Sequence, residues 1–463
     1  MYPHFLLVTF PAQGHINPAL EFAKRLARLG SRVTFVTSTF AYRQMTKFNR
    51  EAGAGSNISF ATYSDGYDDG RPESVPPRLY MEEIRRHSSI ALPEIIGSCA
   101  DEGRRVTFVV YSLLLPWIAS VARELDLPSA LLWIQPAALL AIYYHYFNED
   151  FGDNFEKVLE GRSGSVELPG LPRLAKSDLP SHLITTKFAL SAFKEHLREL
   201  GDEASPRVLI NSFDALEPEA LDALKGFTET ITVGPLVPRR YLTEINDNEN
   251  DTTPGFDLFE NSSREKYVKF LNSNAKHSVV YISFGSTSVL PNTQVEEIVN
   301  GLLNSPFTFM WVLREYNNSD GPFAEKLEEL EKRGVLVPWC SQMEVLSHPS
   351  IGCFLTHCGW NSMAESLSCG VPVVAFPQWA DQPTNAKLAE DVWGIGVRMR
   401  PNAEGVVEAE EVGKCLKMVM GGENEGMVKS AMRWKEAVRA AASSGGSSDV
   451  SLKRFVEKIR GVC

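Results

Sequence analysis

Short apolar runs, each too brief for a helix and each followed by a longer helical stretch, recur along this chain in two series, and this rhythm restricts the fold more than any other feature. Buried parallel strands read as near-continuous apolar runs because helices cover both faces of their sheet. The first series spans 5–10, 32–38, 58–63, 106–112, 129–134 and 207–212; the second spans 278–284, 307–313, 335–338, 351–356, 371–376 and 395–399. Between them, 241–263 is rich in Asn, Asp, Glu, Thr and Ser and reads as a solvated linker. A chain of 463 residues also exceeds what one core usually supports. The expectation is an α/β protein of two doubly wound, Rossmann-like domains facing each other across a cleft. Its divisions are 1–237, a linker at 238–263, a second domain at 264–445, and a terminal helix at 446–463 packing back on the first. The first helix is expected to open near Asn17-Pro18 and to stop at Gly30, with two helices in the tail split by 443–448.

Charge and cysteine usage narrow the class. A formal net charge of -12 argues against nucleic acid or an anionic membrane surface as a partner. The opening Tyr2-Pro3-His4 and the apolar run after it lack the basic start and cleavage site of a secretory signal, and no run approaches a spanning length. Seven cysteines without a C-x-x-C pair suggest neither a disulfide framework nor a metal site. A reduced, cytoplasmic, monomeric protein is expected.

The densest chemistry lies between Trp339 and Gln382. The strand 351–356 runs into H-C-G-W-N-S-x-x-E from His357, so a Gly-containing turn leads into a helix expected to start around Asn361-Ser362. Such a turn aims free N–H groups and the positive helix end past the strand, which suits a phosphate. Taken singly, Ser362 and Glu365 read equally well as an S-x-x-E capping box, His357 as a bonded structural residue, and Trp339 and Trp360 as packing aromatics. Together they supply an indole for a flat base, a carboxylate for a ribose diol, donors for a pyrophosphate, and the Asp381-Gln382 pair for sugar hydroxyls.

This stretch resembles, in length and residues, the signature box of plant family-1 UDP-glycosyltransferases. The resemblance extends through G-H-I-N-P near the start and V-V-Y-I-S-F-G-S at 279–286, and so covers essentially the whole chain. It implies a GT-B fold and metal-independent transfer from a UDP-sugar, with inversion. It implies Trp339 stacked on uracil, with the Cys340 backbone at its edge. Gln342 and Glu365 would hold the ribose, and Ser286, His357, Asn361 and Ser362 the phosphates. Trp360, Asp381 and Gln382 would hold the sugar. A Gln at the last place is associated with glucose, so UDP-glucose is the expected co-substrate, with no further cofactor.

His15 lies just past the first strand, at the sheet edge where open α/β folds bind ligands, and a neutral imidazole there can take a proton. Read alone, His15 would more simply cap its helix or bond the turn; the resemblance makes it the general base. The family's usual partner for this base is an Asp, and Ser112 occupies that place. A hydroxyl can accept from the imidazole N–H but supplies no negative charge. Ile134 stands where many relatives carry Thr, with Gln135 beside it. Both departures resemble the branch with anthocyanin 5-O-glucosyltransferases and crocetin glucosyltransferases. A weakened dyad suits acceptors that ionise easily, such as carboxylic acids at a pKa of about 4 to 5 and acidic phenols.

The acceptor is expected to be a small aromatic or apolar metabolite (flavonoid, anthocyanidin, phenylpropanoid or apocarotenoid acid). Gln135, Tyr143 and Tyr144, within the aromatic-rich run 133–147, are candidate pocket residues, with core packing as the alternative. A non-catalytic UDP-sugar-binding protein is the rival function, supported by Ser112 alone. A nicotinamide dehydrogenase is excluded because no G-x-G-x-x-G follows a strand.

Overall fold

The computed structural model describes residues 2–48, 57–185, 189–242, 262–286, 288–313, 322–422 and 424–461. It separates into two compact units, Met1–Phe259 with Ala440–Cys463, and Glu260–Arg439. Of the expected linker, 243–261 lies outside the described residues.

The first unit is built on seven parallel strands: β1 (His4–Val8), β2 (Arg32–Ser38), β3 (Ile58–Tyr63), β4 (Phe108–Ser112), β5 (Ser129–Trp133), β8 (Arg207–Ile210) and β9 (Glu229–Thr232). A two-stranded antiparallel hairpin, β6 (Ser165–Val166) with β7 (Leu174–Ala175), stands apart from this sheet. The sheet order is β3-β2-β1-β4-β5-β8-β9, so the winding direction reverses between β1 and β4. All six strands read from the sequence are present; β9, short and half polar, was not read.

Every residue of β1 and β4 is buried, which explains their unbroken apolar character. The terminal helix Ser447–Arg460 packs on this unit. Phe455 lies 6.0 Å from Phe5 and 5.3 Å from Phe108 between ring centroids, and Ser448 Oγ donates to the Gly234 carbonyl at 2.6 Å.

The second unit carries six parallel strands: β10 (Val279–Ser283), β11 (Thr308–Val312), β12 (Gly334–Val337), β13 (Ile351–Thr356), β14 (Val373–Ala375) and β15 (Gly396–Arg398). Their order is β12-β11-β10-β13-β14-β15, and the reversal falls between β10 and β13. Its core joins Val280, Ile282, Trp311 and Leu355 to the covering helices through Ile298, Val299 and Leu416.

Two helix starts differ from the sequence reading. The first helix is Gln13–Arg28, opening after Ala12 rather than near Asn17-Pro18. Pro18 therefore sits inside it, where its ring forgoes one i→i−4 bond, instead of at the first position that Pro usually marks. The helix after β13 is Trp360–Cys369, with Gly359 as its N-cap.

Candidate active site

Ligands of doubly wound sheets bind beyond the strand ends where the winding reverses. In the second unit that point lies past Ser283 of β10 and Thr356 of β13, which are paired in register. The turn after β10 carries Gly285 and Ser286; the turn after β13 carries His357, Cys358 and Gly359. The imidazole of His357 is pinched between the two turns. A Cβ on Gly285 would come within 2.6 Å of its Nε2, and one on Gly359 within 2.5 Å. Gly285 also has φ +78°, a conformation glycine tolerates at no steric cost. Burial lowers the His357 pKa to about 4, against the opposing effect of the Ser283 backbone, so the ring is neutral near pH 7.

Ser362 is the third residue of its helix, not its cap, and this removes the capping-box reading. Its Oγ lies 2.8 Å from Gln342 Nε2, which also donates to Glu365 Oε2 at 2.8 Å. The Tyr281 hydroxyl donates to Gln342 Oε1 at 3.2 Å and lies 3.3 Å from Cys340 Sγ. Gln342, Ser362 and Glu365, separate in sequence, thus form one bonded group, with Cys340 beside it. Tyr281 joins them unread from the sequence, where it looked like one more apolar strand residue.

Asp381 is buried, and that burial raises its pKa to about 6 against the bonds that favour its charge. Asn385 Nδ2 donates to Asp381 Oδ2 at 2.7 Å and to the Cys358 carbonyl at 2.9 Å, tying this carboxylate to the turn after β13. The Trp360 backbone N–H also bonds the Asp381 carboxylate. Asn385 was legible only as an i, i+4 neighbour of Asp381 on a helix. Gln382 Oε1 accepts from the Gln378 and Trp379 N–H groups at 2.8 and 3.0 Å, which leaves its NH₂ as the end able to donate outward. Trp339 is half-buried beside Cys340, and Asn361 lies in the first turn of the helix.

In the first unit the reversal lies past β1 and β4, where His15 and Ser112 sit. His15 is in the first turn of the first helix, its ring 5.1 Å from that of Phe10. Desolvation lowers its pKa to about 4, and among the described residues its buried Nδ1 has no hydrogen-bond partner. Ser112 does not supply one, contrary to expectation. Its Oγ accepts from the Phe10 N–H at 3.1 Å, with Thr9 Oγ1 at 3.4 Å, and it lies 3.4 Å from the Leu113 carbonyl. The hydroxyl is spent on holding the turn that leads to His15.

The expected acceptor wall divides. Tyr143 is 1% exposed, stacked on Phe193 at 4.2 Å and edge-on to Trp133, so core packing accounts for it. Tyr144 stacks on Phe227 at 4.4 Å. Gln135 Oε1, just before the helix Ala137–Phe147, is buried without a hydrogen-bond partner among the described residues. That helix is capped by a residue the sequence reading missed. Glu217 accepts from the Ala137 and Ala138 N–H groups, both at 2.9 Å, although burial pushes its pKa up. No local signal points to it, since it lies 80 residues from Ala137.

Comparison with known proteins bears on this geometry. Residues 259–435 match the family described as UDP-glucoronosyl and UDP-glucosyl transferase. UDP-glycosyltransferase 75C1 of Solanum lycopersicum is 50% identical over 100% of this chain and 99% of its own length. Crocetin glucosyltransferase, chloroplastic, of Gardenia jasminoides is 49% identical over 98% of this chain and 97% of its own. Among solved structures, Os79 from O. sativa in complex with UDP is 33% identical, with a TM-score of 0.83 over 98% of this chain and 100% of that one. Phytolacca americana UGT2, complexed with UDP-2fluoro-glucose and pterostilbene, is 25% identical with a TM-score of 0.82, over 99% and 100%.

Proposed function

This chain belongs to the UDP-glycosyltransferase family and has its GT-B fold, and from that premise we propose that it moves glucose from UDP-glucose to an oxygen of a small aromatic or apolar metabolite. The observation that carries the reading is the bonded group of Gln342, Ser362 and Glu365 beside the glycine-pinched His357, at the strand reversal of the second unit. A nucleotide sugar needs these groups at such a point: polar side chains for the ribose, and neutral donors with a helix start for the diphosphate. Trp339 would stack on the base, with the Cys340 backbone at its edge. Ser286 and Asn361 would join the phosphate donors. The Gln382 NH₂ and Asp381 would meet the sugar hydroxyls. The reaction is an in-line displacement: the acceptor oxygen attacks the anomeric carbon, the C–O bond to UDP breaks, and the configuration inverts. Donors fixed in advance around the diphosphate stabilise the charge that gathers there.

His15 takes the acceptor proton. Its lowered basicity and its empty Nδ1 side make it a weak base without a charged partner, which favours acceptors whose oxygen ionises readily. Carboxylic acids and phenols fit; simple alkanols do not. Crocetin and anthocyanidin glucosides appear in the names of relatives 49% and 47% identical to this chain, and these names support the aromatic or polyene acceptor class. The same relatives are named as transferases, which gives the rival non-catalytic reading no support. Among the described residues no helix is long and apolar enough to cross a membrane. We propose a cytoplasmic monomer.

The test pairs binding with turnover. Calorimetry on the native protein should detect UDP and UDP-glucose, and a mixed panel of phenols and acids should release UDP. His15→Ala should keep donor affinity while turnover falls by roughly a hundredfold or more. Donor binding without turnover in the native protein would overturn the catalytic reading.

A further inference from the structure

Tyr63 closes β3, is 3% exposed, and has a buried hydroxyl without a hydrogen-bond partner among the described residues. Buried hydroxyls are rarely left so, and an exception calls for an explanation. Two residues on, Asp65 is 1% exposed. Its Oδ1 accepts from the Tyr67 N–H at 3.0 Å and its Oδ2 from the Tyr80 hydroxyl at 3.1 Å. Each carboxylate oxygen has a further lone pair. Tyr63 stands two residues before Asp65 at the end of β3, and among the described residues its phenol makes no bond to that carboxylate.

The same cluster connects to the proposed base through aromatic rings. Tyr80 lies edge-on to Phe10 at 6.4 Å, and Phe10 lies 5.1 Å from His15. Aromatic rings therefore lead from the imidazole to the Tyr80 hydroxyl and the Asp65 carboxylate it bonds, with the Tyr63 phenol two residues away in the chain.

We propose that Tyr63 and Asp65 bind a second, neutral hydroxyl of an aromatic acceptor whose rings lie along Phe10 and Tyr80 and whose reacting oxygen meets His15. The inference rests on the reading of His15 as the base that meets the acceptor. The chemistry is complementary: the distal hydroxyl donates to Asp65 and accepts from Tyr63. The favoured class is an aromatic polyol with one ionisable hydroxyl at His15 and one neutral hydroxyl at the far end.

The test compares 4,4′-dihydroxystilbene with its monomethyl ether, at saturating UDP-glucose, in the native protein, Tyr63→Phe, Asp65→Asn and His15→Ala. A hydrogen bond to a buried charge predicts a diol-over-ether ratio in kcat/KM of about tenfold to a hundredfold in the native protein, carried mainly by KM. In Tyr63→Phe and Asp65→Asn the ratio should fall towards one. Because each variant is compared with itself, a general loss of activity cancels. Tyr63→Phe removes an atom that bonds nothing in the structure, so it remains informative if Asp65→Asn fails to fold. A native ratio near one, a ratio preserved in both variants, or no turnover of either stilbene would overturn the proposal. If His15→Ala matched the native rate on the ether, the reading beneath it would fall as well. An inactive His15→Ala with the ratio preserved in the other two variants would remove the second anchor alone.

Discussion

Single side chains show how burial without partners sets chemistry in this protein. His196 is 1% exposed, stacked on Tyr111 at an interplanar angle of 7°, with neither ring nitrogen bonded among the described residues, and burial lowers its pKa to about 3. The unfolded chain takes up this proton near pH 6.5, whereas the folded one resists until about pH 3. The folded state therefore loses stability as pH falls through that window. His196→Phe removes the penalty and keeps an apolar ring in place. Its stability relative to the native protein should grow by roughly 1.4 kcal/mol per pH unit between pH 6.5 and 3, read from urea midpoints at a series of pH values. No growth would mean that the imidazole finds a partner in solution. Ser112 shows the opposite case. Its hydroxyl is fully buried but committed to the Phe10 N–H, and so it holds the turn that leads to His15.

Among elements, the helix Trp360–Cys369 and the turn before it carry the diphosphate site we propose. Gly359 adopts φ -59° and ψ 143°, which any residue tolerates, so its requirement is space and not backbone freedom. Gly359→Ala would drive a methyl to 2.5 Å from His357 Nε2 and displace the ring. We expect a roughly tenfold to hundredfold loss of UDP affinity by calorimetry, with the circular dichroism spectrum unchanged. Unchanged affinity would show that His357 does not meet the diphosphate. The helix Ala137–Phe147 depends on a distant group in a different way. Glu217 bonds two of its first N–H groups and so fills the role of an N-cap that Pro136 lacks a side chain to perform.

At the scale of the molecule, the last helix belongs with the first sheet. Leu452, Phe455, Val456 and Ile459 are each at most 5% exposed, and Arg460 reaches the Leu29 carbonyl. Burying four such side chains contributes up to about 6–12 kcal/mol, comparable with the whole stability of a typical domain. A chain ending at residue 446 should therefore show a large loss of stability in the first unit. UDP binding, which we place at the proposed donor site of the second unit, should persist. Scanning calorimetry with and without UDP reads both; an unchanged first-unit transition would contradict the packing argument.

Much of this was legible in the residues themselves, and the part that was not has a common cause. Two series of buried parallel strands, the glycine turn into a helix, and the types of side chain along 339–382 are all local, because hydrophobic periodicity and turn chemistry act over a few residues. Bonds between distant segments are a different matter. That Gln342 meets Ser362 and Glu365, that Glu217 caps a helix 80 residues away, and that Ser112 bonds Phe10 instead of His15 follow from how strands are ordered in a sheet. Hydrogen bonds need atoms within about 3 Å and aligned, and chain spacing says nothing of that. The sequence by itself determined which groups the protein possesses and which strand ends carry them. Only the tertiary structure decided which of those groups are already bonded to one another, and which, like the His15 Nδ1 and the Tyr63 hydroxyl, are buried and lack a partner among the described residues.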